Sequence, residues 1–200
     1  MKLNRVEKAL MNNPARSFYQ RRCEAPLLER LGGRTPGMRV LEVGCGRGVG
    51  TEIIFKHFGA QEVQAFDLDP EMIEQARLRL SGFSADQLKL SVGDATCLMV
   101  DDESYDAVFD FGILHHVPEW QRAVAEIHRV LRPGGRFFFM EVATLARDRP
   151  LYRKLFDYPA ENRFGKEGLI NELERRGITV GGNTAERFFG EFVYGVGVKS

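Results

Sequence analysis

One stretch constrains the fold more than any other. Residues 38–43 (MRVLEV) form a short apolar run of strand length, a glycine-rich turn follows from Gly44 to Gly50, and a helical pattern runs from Thr51 to Phe58. Ile53, Ile54, Phe55 and Phe58 share the buried side of that helix. A buried strand that turns through glycines directly into a helix is the opening of a parallel strand–helix–strand unit. Glycines at that point let the backbone bend sharply, and they let a ligand lie against peptide groups with no Cβ in the way. The helix behind them offers N–H groups that have no partner inside the helix.

The rest of the chain repeats the alternation. EVQAFD (62–67) reads as a second strand, and Asp69-Pro70 as an N-cap with proline at the first helical position. That helix reaches about Leu80, with Glu71 and Glu74 near its positive end. LKLSVGD (88–94) and YDAVFDFG (105–112) are strands three and four. Pro118 opens a helix carrying Val124, Ile127, His128 and Leu131 at helical spacing, and Pro133-Gly134-Gly135 stops it. RFFFMEVA (136–143) is a fifth strand, apolar on both faces and therefore central. Upstream, residues 15–31 read as a helix interrupted at Pro26, followed by breaks at Gly32-Gly33 and Pro36-Gly37. Downstream, Lys166 to Arg176 is a helix, and 178–198 hold two last strands forming an antiparallel hairpin at one sheet edge.

A chain of 200 residues is expected to be one domain. It divides into an N-terminal helical lid (1–35), a ligand-binding core (36–143), a second lid (144–165), and a C-terminal helix with its strand hairpin (166–200). Lys plus Arg equals Asp plus Glu at 28 each, which argues against a bulk electrostatic partner such as nucleic acid. Cys23, Cys45 and Cys97 form neither a ligand pair nor a disulfide framework, so a reducing, cytoplasmic compartment is expected. No apolar run approaches the ~18 residues of a membrane span, and the N-terminal residues lack the apolar stretch of a signal peptide.

The glycine turn departs from the dinucleotide fingerprint, which needs glycine where Val49 stands. Glu42, two residues before the first glycine, is a poor neighbour for a pyrophosphate and a good one for a cation. Asp67, at the end of the second strand, suits ribose hydroxyls. The expected ligand is a nucleoside carrying positive charge.

Five motifs in order, VLEVGCGRG, FDLDP, GDAT, FDFGILHHV and LRPGG, resemble those of class I S-adenosylmethionine-dependent methyltransferases. They are most similar to the small enzymes related to quinone-biosynthesis methyltransferases. The resemblance covers roughly residues 38–142, and 166–198 fits the same fold. It implies a Rossmann-like α/β fold, with helices on both faces of a seven-stranded, mostly parallel sheet of order 3-2-1-4-5-7-6, strand 7 antiparallel. It also implies S-adenosylmethionine as cofactor and S-adenosylhomocysteine as product. Carried onto this chain, Gly44, Gly46 and Gly48, with the small Cys45 in the same turn, pack against the methionine part and ribose. Glu42 acts on the ammonium group or through water, Asp67 takes both ribose hydroxyls, and Leu68 covers one adenine face. Asp94 accepts from the adenine amino group, the Ala95 N–H serves a ring nitrogen, and Asp110, Phe111 and Gly112 border the methionine moiety. Tyr19 or Arg16 closes over the cofactor.

Methyl transfer from a sulfonium is chiefly a positioning problem, and a base is needed only if the acceptor must lose a proton. The catalytic candidates are His115, as substrate contact or proton acceptor, and Glu141, at the exit of the fifth strand. A helix-entry or packing role competes for the His115-His116 pair; adjacent residues point apart and no further ligand follows at metal spacing, so no metal is expected. Asp110-Phe111-Gly112-Ile113 stands where amide and amino-base methyltransferases carry Asn-Pro-Pro-Tyr, which together with zero net charge favours a small-molecule acceptor. Rival readings are a nicotinamide-dependent oxidoreductase, a transferase using a related cofactor, and a non-catalytic binding subunit; the fold alone does not decide among them. The segment 144–165 carries Leu145, Leu151, Tyr152, Leu155, Phe156, Tyr158 and Phe164 beside Arg147, Arg149, Arg153 and Lys154. It reads either as a lipophilic pocket with a basic rim, for an apolar or aromatic acceptor bearing an anionic group, or as a lid with a solvated basic side. Under the rim reading, Arg149→Ala with Arg153→Ala raises KM for the acceptor; an unchanged KM in steady-state kinetics refutes it.

Overall fold

The computed structural model describes residues 13–142, 162–188 and 190–200. Helix α1 (Pro14–Tyr19) passes through a π turn (Gln20–Glu24) into α2 (Ala25–Gly32). Strand β1 (Arg39–Val43) leads to α3 (Val49–Ile53) and a second π turn (Ile54–Phe58), then to β2 (Glu62–Asp67) and α4 (Pro70–Arg79). Next come β3 (Leu88–Val92), β4 (Tyr105–Asp110), a 3-10 turn (Leu114–His116), α5 (Trp120–Val130) and β5 (Leu131–Val142). The chain ends with α6 (Lys166–Arg175), β6 (Ile178–Thr179), β7 (Thr184–Arg187) and β8 (Phe192–Lys199).

The sheet order is β3-β2-β1-β4-β5-β8-β6, with β7 also paired to β8. The first five strands are parallel and β8 is antiparallel to β5. This is the expected Rossmann-like order, with eight strands in place of seven. The extra one arises because β6 and β7 both pair with β8 on the side away from β5. They form one edge strand interrupted at residues 180–183, where Gly181 and Gly182 break the ladder. The long last strand is therefore interior, and only its partner lies at the edge.

Two other boundaries differ from expectation. Pro26 does not interrupt the N-terminal helix: the Ala25 N–H bonds the Gln20 carbonyl in the wide π turn just ahead of it, and Pro26 falls in the first turn of α2, where a missing N–H costs little. β5 begins at Leu131, not at 136. Leu131 pairs with Tyr105, and the register then jumps to Arg136 opposite Ala107, so Arg132-Pro133-Gly134-Gly135 is an excursion within the strand. Proline and glycine are tolerated there because the excursion leaves the hydrogen-bond ladder.

Each face of the sheet buries its own apolar layer. One gathers Leu41, Val108, Phe137 and Phe139 under α5 and α6; the other gathers Val40, Phe109, Phe138 and Tyr194 under α2 and α3. No described helix is long and apolar enough to cross a membrane. The second layer is centred on Phe138, fully buried, stacked on Phe109 at 4.3 Å and edge-on to Phe58 at 5.6 Å. Truncating a buried phenylalanine costs about 3–5 kcal/mol. Phe138→Ala is expected to lose that much in denaturant unfolding; a loss below 1 kcal/mol contradicts the assignment of this layer as a close-packed core.

Candidate active site

Val43, the last residue of β1, lies beside Phe66 of β2 on one side and Asp110 of β4 on the other. The chain leaves β1 toward β2 and reaches β4 only later, so the strand order reverses here and opens a crevice at the carboxyl ends. A cavity of about 270 Å³ lies at that end.

Its floor is the glycine turn. Gly44, Gly46 and Gly48 have φ of 71°, 53° and 83°, which disfavour side chains. Their surroundings differ. A Cβ on Gly44 would stand 2.1 Å from Ile113 and one on Gly48 2.8 Å from Leu80, whereas one on Gly46 would meet nothing within 4 Å. Gly46 is thus where the turn opens to a ligand. Its N–H donates to Asp67 Oδ2 at 2.8 Å, and the Asp69 N–H donates to Oδ1 at 2.9 Å, tying the turn to the end of β2. Glu42 lies beneath, 1 % exposed, and accepts from Thr51 Oγ1. Burial, opposed by the Thr51 bond and reinforced by Asp67 and Asp110, pushes its carboxyl up to about 8. Gly50 makes this possible, since a Cβ there would sit 2.0 Å from Glu42 Oε1. Burial, then Glu42 and Asp67, push the Cys45 thiol well up as well.

Glu42, Gly44, Cys45, Gly46, Asp67, Leu68, Asp94, Ala95, Phe111 and Gly112 all line the cavity. Asp94 also accepts from the N–H and hydroxyl of Thr96, both at 2.8 Å, so it is a turn aspartate as well. Arg16 of α1 and Gln20 at the start of the π turn reach the cavity and Tyr19 does not; Tyr19 packs against Phe188, with ring centroids 6.1 Å apart.

Three further candidates also lie outside the lining. Asp110 is buried and accepts the N–H groups of Gly112 and Ile113 at 2.8 Å each. Glu141 accepts those of Leu114 at 2.8 Å and His115 at 3.2 Å, and pairs with His115 Nδ1 at 2.5 Å. Two carboxyls therefore hold four consecutive backbone N–H groups. Burial, then the neighbouring Glu141, push Asp110 well above the usual carboxylate range. His116, not His115, lines the cavity, together with Val117, Pro118 and Glu119. In the second lid only 162–165 are described, and there Phe164 is buried against Trp120; the rest of that segment, with its four basic residues, lies outside the described residues.

Comparison with known proteins accords with this geometry. A family profile described as "Methyltransferase domain" matches residues 41–139, about half of the chain. The chain is 35 % identical over 147 residues to a malonyl-[acyl-carrier protein] O-methyltransferase of Methylococcus capsulatus, covering 72 % of this chain and 53 % of that protein. It is 33 % identical over 144 residues to a fatty-acid O-methyltransferase of Mycolicibacterium smegmatis, covering 71 % and 47 %. The chain thus spans about half the length of these relatives. A solved S-adenosylmethionine-dependent methyltransferase from Aquifex aeolicus shares the fold, with TM-score 0.76, 22 % identity and 98 % of each chain covered. This chain belongs to the class I S-adenosylmethionine-dependent methyltransferase family.

The methyltransferase cavity suits the cofactor its family implies. The open face of Gly46 is a cradle that any side chain would fill. Asp67 and Asp94 offer acceptors for hydroxyl and amino groups, and the buried Glu42 carboxyl offers a further acceptor oxygen at the cavity.

Glu42 also has a pH signature. The folded protein keeps its proton up to about pH 8, whereas an unfolded chain releases it near 4.5. Between those values folding takes up a proton, so stability falls as pH rises through the window. Glu42→Gln has no such proton. Its stability relative to the native sequence is expected to rise from about pH 4.5 to about pH 8 and then level off, measured as denaturant midpoints across pH. A pH-independent difference refutes the buried, protonated carboxyl.

Proposed function

We propose that this protein transfers a methyl group from S-adenosylmethionine to a lipophilic small-molecule acceptor. The observation that carries the reading is the pairing, in one cavity, of a buried carboxyl (Glu42) with the strand-end carboxylates Asp67 and Asp94 around an open glycine turn. When bound, S-adenosylmethionine supplies an electrophilic methyl group. The chain's own residues hold and orient. Asp67, whose carboxylate accepts from the Gly46 and Asp69 N–H groups, is placed at the cavity as the acceptor for the two ribose hydroxyls. Leu68, 38 % exposed at the cavity, covers an adenine face, and Asp94 with the Ala95 N–H reads the adenine edge. Glu42 meets the ammonium group, and Arg16, ion-paired with Glu24 at 2.7 Å, is the cation on the lid helix that answers a carboxylate. Phe111 and Gly112 border the methionine part. Asp110, Glu141 and His115 act from beneath as positioning residues, because they bind the loop and not the cavity.

A lipophilic acceptor is supported by the names of the two relatives, one acting on fatty acids and one on a malonyl-[acyl-carrier protein]. Free, unpaired cysteines, two of them exposed, support a reducing cytoplasmic setting.

Calorimetric titration with S-adenosylmethionine, S-adenosylhomocysteine and NAD tests the cofactor, followed by transfer of labelled methyl to a panel of lipophilic acids and phenols. Micromolar binding of the first two, none of NAD, and label in an acceptor are expected. Asp67→Ala is expected to weaken S-adenosylhomocysteine by about 1.5–3 kcal/mol, the range for hydrogen bonds to a charged group. Full retention of affinity in that variant removes the ribose assignment.

A further inference from the structure

The cavity lining holds two guanidiniums, Arg16 from α1 and Arg47 from the glycine turn. They are held differently. Arg47 Nη2 donates to the Ser17 hydroxyl at 3.2 Å, a neutral partner. Arg16 Nη1 donates to Glu24 Oε2 at 2.7 Å, and Glu24 is 2 % exposed. A carboxylate so buried is costly unless an opposite charge and hydrogen bonds satisfy it. Glu24 has both. Its other oxygen, Oε1, accepts from the Tyr194 hydroxyl at 3.0 Å, and Tyr194 is fully buried on β8. Burial, then the charge of Glu24, push the Tyr194 hydroxyl well up, so it stays a donor.

Local structure explains how Arg16 and Glu24 meet. In an unbroken α-helix a residue eight positions on lies about 80° further round the axis, so two such side chains diverge. Here the chain between them widens into the π turn Gln20–Glu24, which turns less per residue and takes up the offset. Tyr194, Glu24 and Arg16 thus form a chain of three side chains that runs from the buried face of the sheet to the cavity. Glu24 takes Nη1 of Arg16, and the Arg16 side chain stays 20 % exposed, so a group with five N–H donors keeps donors for a ligand.

Resting on the methyl-transfer reading, we propose that Glu24 and Tyr194 are positioning residues: they fix the Arg16 guanidinium so that it donates to the carboxylate of the cofactor's methionine part, and the site thereby selects ligands that carry that carboxylate. Their contribution is pre-organisation. An arginine without an anchor gives up rotamer freedom when it binds a ligand, whereas one already held has given it up on folding.

The test is calorimetric titration with S-adenosylhomocysteine and with its decarboxylated analogue, which keeps the amine and lacks the carboxylate. Native protein is expected to prefer S-adenosylhomocysteine by at least about tenfold, as for a hydrogen bond to a charged group. Arg16→Ala is expected to remove most of that preference by weakening S-adenosylhomocysteine, with the analogue staying within about twofold. Glu24→Ala is expected to do the same with Arg16 in place, and Tyr194→Phe to lower the preference by less. Glu24→Gln, which keeps an acceptor oxygen, is expected to recover part of it. A merely structural role of Glu24 weakens both ligands alike and leaves the preference as it was. Failure to bind S-adenosylhomocysteine overturns the methyl-transfer reading and this inference with it. Equal binding of the two compounds by native protein overturns carboxylate capture alone. A preference lost in Arg47→Ala and kept in Arg16→Ala overturns the role of Arg16. An unchanged preference in Glu24→Ala, or a raised one because the charge of Glu24 outweighs its anchoring, overturns the positioning role. Should that variant not fold, an unchanged preference in Tyr194→Phe overturns it instead.

Discussion

Four consecutive backbone N–H groups, from Gly112 to His115, end on two carboxyls buried beneath the ends of β4 and β5. Most of the cavity geometry depends on this arrangement. It sets the loop that carries Ile113 against Gly44, so the glycine turn and the β4 loop interlock across β1 and β4. It also sets Phe111 against Gly50, which in turn leaves room for Glu42. Burying two neighbouring carboxyls is costly, and the raised Asp110 reflects it. The N–H groups offset that cost, because a peptide donor left without a partner there would itself cost about 1–3 kcal/mol.

The sheet supplies the frame on which these contacts meet. Parallel pairing aligns Val43, Phe66 and Asp110 at one end, and the reversal of strand order leaves that end uncovered by a crossover. Ring contacts among Phe58, Phe109 and Phe138, edge-on at Phe58 and stacked between the other two, fill one face of the sheet behind the turn. The lid helix is tied to this frame by polar contacts: Arg21 to Glu52 at 2.7 Å and Arg47 to Ser17 at 3.2 Å. Exposed or half-exposed pairs of this kind contribute little stability each. The cofactor side of the cavity therefore combines a packed floor with a more weakly held cover.

Much of the site was legible because its chemistry is local. A glycine at a positive φ, an acid at a strand end and an aspartate capping its own turn each announce themselves within a few residues, as at Gly46, Asp67 and Asp94. His115 and His116 are the counter-case. Residue type and spacing cannot say which of two adjacent imidazoles faces a ligand. Glu141, 26 positions later, decides it by taking His115 Nδ1. Tyr19 and Arg16 pose the same problem on a helix, where a three-residue step shares a face only approximately and the π turn that follows changes the phase of what comes after.

By itself, then, the order of apolar runs, glycine breaks and caps determined a parallel sheet with helices on both faces and a ligand crevice behind the first strand. Those features rest on period, steric freedom and local hydrogen bonding, which adjacent residues settle among themselves. Only the tertiary structure decided that β6 and β7 share one edge, that Glu42 is buried enough to keep its proton, and that His116 rather than His115 meets the cavity. Each of these turns on which distant groups are brought into contact and how much water is excluded, and neither quantity is carried by any short stretch of chain.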